Sequence, residues 1–148
     1  MKVAKVEIRA PLYPTEDEEK VREAIENIAS PSEWRVVEDG GKLLLVASSN
    51  TLASLLKLRE RLRRQRTLDA ARYMIKRFST PQRLTFYLHK QAAYMGHAAF
   101  CLPRGESPLG AIEVVVEGGN LERVLDWLAP PTANGKPLFE LEEVPEDP

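Results

Sequence analysis

LASLLKLRERLRRQRTLDAARYMIKRF, residues 52–78, is helical in pattern, but it cannot be one straight helix. At about 100° per residue, Leu52, Leu55, Leu56, Leu58 and Leu62 gather on one face. Leu68, Ala71, Met74, Ile75 and Phe78 gather on a second face, rotated by roughly 140° on the same wheel. Both stripes meet one core only if the chain turns between them. A break near Arg64 to Thr67 is therefore expected, giving two helices.

Short strand-like runs surround this helical centre. Residues 3–10 are β-like and are expected to end at Pro11. Thr15 with Glu18 forms a capping box, and Val21, Ala24, Ile25 and Ile28 make one buried helical stripe that Ser30-Pro31-Ser32 stops. Trp34 to Glu38 and Leu43 to Ser48 flank Asp39-Gly40-Gly41 and read as a hairpin, with Asp-Gly supplying the positive φ angles. Asn50 or Thr51 caps the next helix. On strand Arg83 to Leu88, Leu84, Phe86 and Leu88 point one way and Arg83, Thr85 and Tyr87 the other. A short helix, Lys90 to Met95, ends at Gly96. His97 to Leu102 is a candidate strand and Pro103 to Gly110 a loop. Ala111 to Glu117 is a strand, and Gly118-Gly119-Asn120 leads into a helix from Leu121 to Leu128, stopped by Pro130-Pro131. This order argues for an α+β fold with a largely antiparallel sheet packed against helices. Residues 1–136 form one domain, and 137–148 an acidic, loosely held tail.

Charge is distributed unevenly. Residues 57–90 hold eleven Lys and Arg against Glu60 and Asp69, a net +9, while the segments before and after carry −3 and −7. The total of −1 thus hides a basic centre between acidic flanks. Such a centre suits a polyanion, or pairing with acidic protein segments. On the first basic helix Lys57, Arg61 and Arg64 lie opposite the leucines and should face solvent. Arg59, Arg63 and Arg66 lie within or beside the leucine stripe and must be paired or sit at an interface. On the second helix Arg72, Lys76 and Arg77 lie away from the apolar face, with Asp69 near Arg72. Arg83 and Lys90 extend the basic set. Tyr87, sharing a strand face with Arg83 and Thr85, could stack a base or be covered by a helix.

Other chemistries find little support. At 148 residues the chain buries a core without staples, and its single cysteine, Cys101, excludes an intrachain disulfide and suggests a reducing compartment. No apolar run approaches the roughly 20 residues that span a membrane, and Met1 leads into a strand-like segment without a signal-peptide pattern, so a cytoplasmic location is expected. His89, His97 and Cys101 fit no zinc spacing, and Ser107 has no histidine partner. Gly40-Gly41 and Gly118-Gly119 fit no dinucleotide or phosphate loop. The expectation is a non-enzymatic protein with no metal and no cofactor.

Several motifs stand in one collinear order. They are Ala10-Pro11-Leu12-Tyr13-Pro14-Thr15-Glu16-Asp17, Leu62-Arg63-Arg64-Gln65-Arg66, Leu68-Asp69-Ala70-Ala71-Arg72 and Thr85-Phe86-Tyr87-Leu88. Lys90-Gln91-Ala92-Ala93-Tyr94, Glu106-Ser107-Pro108-Leu109-Gly110 and Asp126-Trp127-Leu128-Ala129-Pro130 complete the series. Together they resemble the archaeal uncharacterised protein family 0201 over nearly the full chain. The resemblance implies a fold similar to the large-subunit ribosomal protein that binds 5S RNA, the protein-five type. It also implies a place in a broader set labelled RNA-binding, some members being candidate exosome partners, and it is compatible with homodimers. It assigns no residue a role. At His89 the family pattern more often has asparagine, which argues against a catalytic histidine.

The leading expectation is RNA binding, with Lys57, Arg61, Arg64, Arg72, Lys76 and Arg77 on phosphates and Arg83 and Lys90 in support. The alternative is a homodimeric structural or assembly module whose basic helices pair with acidic segments through Arg59, Arg63 and Arg66.

Overall fold

The computed structural model describes residues 5–103 and 110–145. Val3, Ser107 and most of the Pro103 to Gly110 loop lie outside the described residues. Five antiparallel strands form the sheet: β1 (Lys5–Leu12), β2 (Glu33–Asp39), β3 (Lys42–Ser49), β4 (Arg83–His89) and β5 (Ala111–Glu117), in spatial order β2-β3-β1-β5-β4. Ile8 in the central strand lies opposite Ala47 of β3 and Val114 of β5, and Val114 lies opposite Phe86 of β4. All four are buried, so this register defines the core face. Helices α1 (Glu18–Glu26), α2 (Leu56–Arg64), α3 (Leu68–Phe78), α4 (Lys90–Tyr94) and α5 (Leu121–Leu128) contribute their apolar stripes to the same core. The architecture is α+β, as the pattern predicts.

On the opposite sheet face charges alternate. Arg9 meets Glu7 at 3.2 Å and Glu113 at 3.7 Å, and Arg35 meets Glu7 at 3.3 Å. The outer edge of β4 is covered along its length. Near one end the Thr85 amide donates to Ser79 Oγ at 3.0 Å; near the other the His89 amide donates to the Ala99 carbonyl at 2.7 Å and the Cys101 amide to Tyr87 at 3.0 Å. Residues 97–102 therefore do not form the expected strand; they make one isolated bridge, Leu88 to Phe100. Such covering protects an edge that would otherwise present unpaired backbone groups.

Local chemistry moves several expected boundaries. β1 continues past Pro11 to Leu12. Its ladder with β5 stops at Arg9, so proline sits where that side of the strand has become an edge. The hairpin turn is Gly40-Gly41, at φ 58° and 83°, with Asp39 already paired to Lys42. The N-cap of α1 is Asp17, which accepts from the Glu19 amide, in place of Thr15. Leu56 is 40% exposed because Leu52–Leu55 is a 3₁₀ turn, which advances the phase faster than an α-helix.

The expected helix break is present and has a defined geometry. The Thr67 amide donates to Leu62 and the Arg66 amide to Arg63, the two bonds of a Schellman motif. Arg66 occupies the left-handed position at φ 58°, where glycine is usual.

Residues 138–145 of the acidic C-terminal segment, expected to be loosely held, are anchored through Glu140, Leu141 and Val144. Leu141 and Val144 pack on the core. Glu140 receives Arg63 Nη2 at 2.7 Å and Nε at 2.9 Å. These bonds, aided by nearby Arg59, hold its carboxyl below the ordinary range although burial opposes them.

Lys90 is corrected most sharply, because its side chain is wholly buried. Its Nζ donates to Glu16 Oε1 at 2.8 Å, Glu16 Oε2 at 3.1 Å and the Pro11 carbonyl. Glu16 also accepts from the Tyr13 amide and the Tyr94 hydroxyl. Burial lowers the lysine pKa, and burial beside Glu16 pushes the Tyr94 phenol up to about 12. Every polar group of this cluster has a partner, and the pair ties the end of β1 to the start of α4.

Two stability outcomes follow. Removing one partner of the buried pair, by Glu16→Gln or Lys90→Met, should destabilise the fold by about 3–5 kcal/mol in denaturant titration. The double variant should lose less than the two added, and strict additivity would refute the coupling. Glu140→Gln should cost about 1–3 kcal/mol at neutral pH. Because the folded-state pKa of Glu140 is depressed, its contribution is present above the unfolded value and lost as pH falls through the folded one. The difference between wild type and variant should therefore shrink in acid, below about pH 4.5; a gap unchanged at low pH would rule out the ionised pair as its source.

Candidate nucleic-acid interface

The basic residues divide by what surrounds them. Arg59, Arg63 and Arg72 converge on the C-terminal end of α5. Arg59 Nε donates to the Trp127 carbonyl at 3.0 Å and Arg59 Nη2 to Leu141 at 2.9 Å. Arg63 reaches the Leu128 carbonyl at 2.9 Å and Trp127 at 3.1 Å, and Arg72 reaches the Ala129 carbonyl at 3.0 Å. The last carbonyls of a helix lack intrahelical partners and carry its negative pole, so cations are favoured there. Burial lowers the Arg59 pKa, with Arg63 adding to the effect and Glu140 opposing it.

Arg59 and Arg63 thus have carbonyl and carboxylate partners within the chain. Arg72 is a correction: its Nη1 lies 2.8 Å from Asp126, and it bonds this residue of α5 in place of Asp69. It is committed to the interior, and Lys90 is buried against Glu16. Neither is available to phosphate.

The remaining cations are different. Lys57 is exposed and donates to the Glu26 carbonyl at 2.8 Å, capping the end of α1. Arg83 is exposed and stands 3.7 Å from Glu117. Among the described residues, Arg61, Arg64, Arg66, Lys76 and Arg77 meet no carboxylate within 4.0 Å. Arg64, Arg66, Lys76 and Arg77 are exposed and Arg61 half-buried. Arg66, expected to be paired or at an interface, is exposed at the left-handed position of the turn. Arg77 lies 5.4 Å over the Phe78 ring.

Aromatic groups are also redistributed. Tyr87 is not free to stack a base: Phe78 packs edge-on against it at 5.2 Å, and its hydroxyl donates to Glu113 at 3.2 Å. Tyr73 is 64% exposed and stands one turn before Lys76 and Arg77 on α3. Sequence reasoning passed over it, although position 73 lies off the stripe of Leu68, Ala71 and Ile75. No group of three or more potential metal-ligating side chains occurs among the described residues.

Comparison with known proteins agrees with this picture in outline. A family described as RNA binding matches residues 5–117. A UPF0201 protein of Aeropyrum pernix is 45% identical over 137 residues, covering 92% of this chain and 91% of that protein. One from Metallosphaera sedula is 45% identical over 145 residues, covering 98% and 100%. The crystal structure of the UPF0201 protein from Methanococcus jannaschii is similar with a TM-score of 0.77 at 32% identity, over 91% of this chain and 99% of that one. A DUF54 protein from Sulfolobus solfataricus shares the fold alone, with a TM-score of 0.63 at 16% identity, over 84% and 96%. With full-length relatives at this identity, the chain belongs to the UPF0201 family, within the family described as RNA binding.

Proposed function

We propose that this chain is a non-enzymatic, cytoplasmic RNA-binding protein whose α2 and α3 cations contact phosphates. The contacting set is Arg61, Arg64, Arg66, Lys76 and Arg77, with Lys57 and Arg83 at its margins. The observation that carries this reading is the separation of the arginines. Arg59, Arg63 and Arg72, which build the fold, have carbonyl and carboxylate partners, while Arg61, Arg64, Arg66, Lys76 and Arg77 meet no carboxylate among the described residues. Likeness in fold to the ribosomal protein that binds 5S RNA, which the family resemblance implies, supports the same reading. Phosphate contacts of this kind give affinity with little sequence choice.

Arg66 adds a physical argument. A non-glycine residue in the left-handed region costs about 1 kcal/mol or more. Its exposed side chain has no ion pair among the described residues to offset that cost. The two Schellman bonds offset part of that cost, and what the position adds is an outward-facing guanidinium at the helix break.

The alternative, a homodimeric assembly module, was suggested by arginines among leucines. Glu140 and the α5 carbonyls of the same chain satisfy Arg59 and Arg63, which leaves Arg66, exposed at the turn, as the remaining arginine behind that alternative. Light scattering decides between monomer and dimer.

Fluorescence anisotropy against labelled RNA tests the reading. Logarithmic affinity should fall with logarithmic salt by up to about one unit per phosphate contact. Joint reversal by Lys76→Glu and Arg77→Glu should weaken binding and flatten the slope by roughly two units, with Tm only modestly lowered because both residues stand in the last turn of α3. Arg66→Gly should weaken binding while stability holds or rises by about 1 kcal/mol. Absence of binding at low salt to both single-stranded and duplex RNA would sink the proposal.

A further inference from the structure

A groove of about 620 Å³ opens beside the helix break, lined by Thr67, Ala70, Tyr73, Met74, His97 and Phe100 among others. Its size falls within the range of small-ligand sites. Ala70, Tyr73, Met74 and Arg77 occupy one stripe of α3, so the groove runs along the helix face that ends in a cation. Gln65 fixes the opposite wall. Its Nε2 donates to the Ala98 carbonyl at 2.8 Å and its Oε1 accepts from the Ala98 amide at 2.9 Å. This reciprocal pair locks residues 97–100 to the turn between α2 and α3.

Charge identifies the occupant. Among the described residues no carboxylate lines the groove. Arg66 sits between two lining residues, Gln65 and Thr67, and Lys76 and Arg77 follow Tyr73 by one turn. An apolar cleft with exposed aromatic groups, flanked by unpaired cations, is complementary to a flat ring attached to phosphates. Base stacking on aromatic side chains beside a basic track is how single strands are held without strong sequence choice.

We infer that this groove seats an unpaired nucleobase of single-stranded RNA, stacked on Tyr73, with Arg66 and Arg77 on the flanking phosphates. The inference rests on the RNA-binding reading and narrows it, because a base held in a duplex cannot enter the cleft. Tyr73 is a contact residue here and not a structural one, since most of its side chain is exposed.

The test compares an unstructured oligouridine with a blunt RNA duplex of equal length, at one low ionic strength. The wild-type chain should prefer the single strand. Tyr73→Ala should weaken single-strand binding about five- to a hundredfold, leave duplex binding and the salt slope unchanged, and keep the wild-type Tm. Tyr73→Phe should restore single-strand binding. Equal single-strand affinity for Tyr73→Ala and wild type, with the Lys76→Glu and Arg77→Glu variant still weakened, would overturn the nucleobase seat and leave phosphate binding standing. A wild-type preference for duplex would also overturn it. No binding of either RNA would remove the RNA reading itself.

Discussion

Three guanidinium groups meeting at the end of one helix set the layout of this protein. The carbonyls of Trp127, Leu128 and Ala129 close α5 and point where no further helical turn exists to use them. Arg59 and Arg63 come to them from α2, and Arg72 from α3. Such an end is a concentration of acceptors and partial negative charge, and arginine offers several donors in a fixed fork. The positive charge so gathered is balanced by Asp126 and by Glu140, which draws the C-terminal segment onto the domain. One electrostatic demand therefore fixes α2, α3, α5 and the tail relative to one another. Breaking it at Glu140 or Asp126 would leave cations facing each other in a half-buried space.

This constraint changes what a basic segment means. The net charge of +9 over residues 57–90 includes Arg59, Arg63, Arg72 and Lys90, all held by internal partners. The field available to a polyanion is that of the smaller outward set. An exposed guanidinium is free to exchange water for phosphate at little cost. A buried one would have to abandon a carboxylate and carbonyls, leaving those groups unsatisfied. Sorting cations by partner is therefore more informative than summing them, and it leaves the outward-facing charge on α2, the break and the outer stripe of α3.

Much of the fold was legible because periodicity reports burial directly. The rotation between the Leu52 to Leu62 stripe and the Leu68 to Phe78 stripe forced a turn, and the structure places one at Gln65 to Thr67. The alternation in Ala111 to Glu117 and the Asn120 cap were equally local signals. Partners distant in sequence were not legible. Nothing near Lys90 indicates that Glu16, 74 positions away, will meet it. Nothing near Arg72 prefers Asp126 over the closer Asp69. The role of Glu140 depends on where the tail returns. Tyr73 was missed for a different reason: position on a wheel shows that a side chain is outside, while its value as a platform depends on the cleft beside it.

That cleft is framed by the hydrogen bonds of the break. A flexible linker between α2 and α3 would let residues 97–100 drift from the helix. The Schellman bonds from Arg66 and Thr67 instead give the turn one geometry, and the reciprocal Gln65–Ala98 pair transmits it to the opposite wall. Rigid placement of exposed groups lowers the entropy lost when a ligand binds. The same left-handed step leaves Arg66 exposed between Gln65 and Thr67, which both line the groove. Exposure and groove thus share an origin in the reversal between two basic helices, and the half-buried arginines at the end of α5 tie both helices to it.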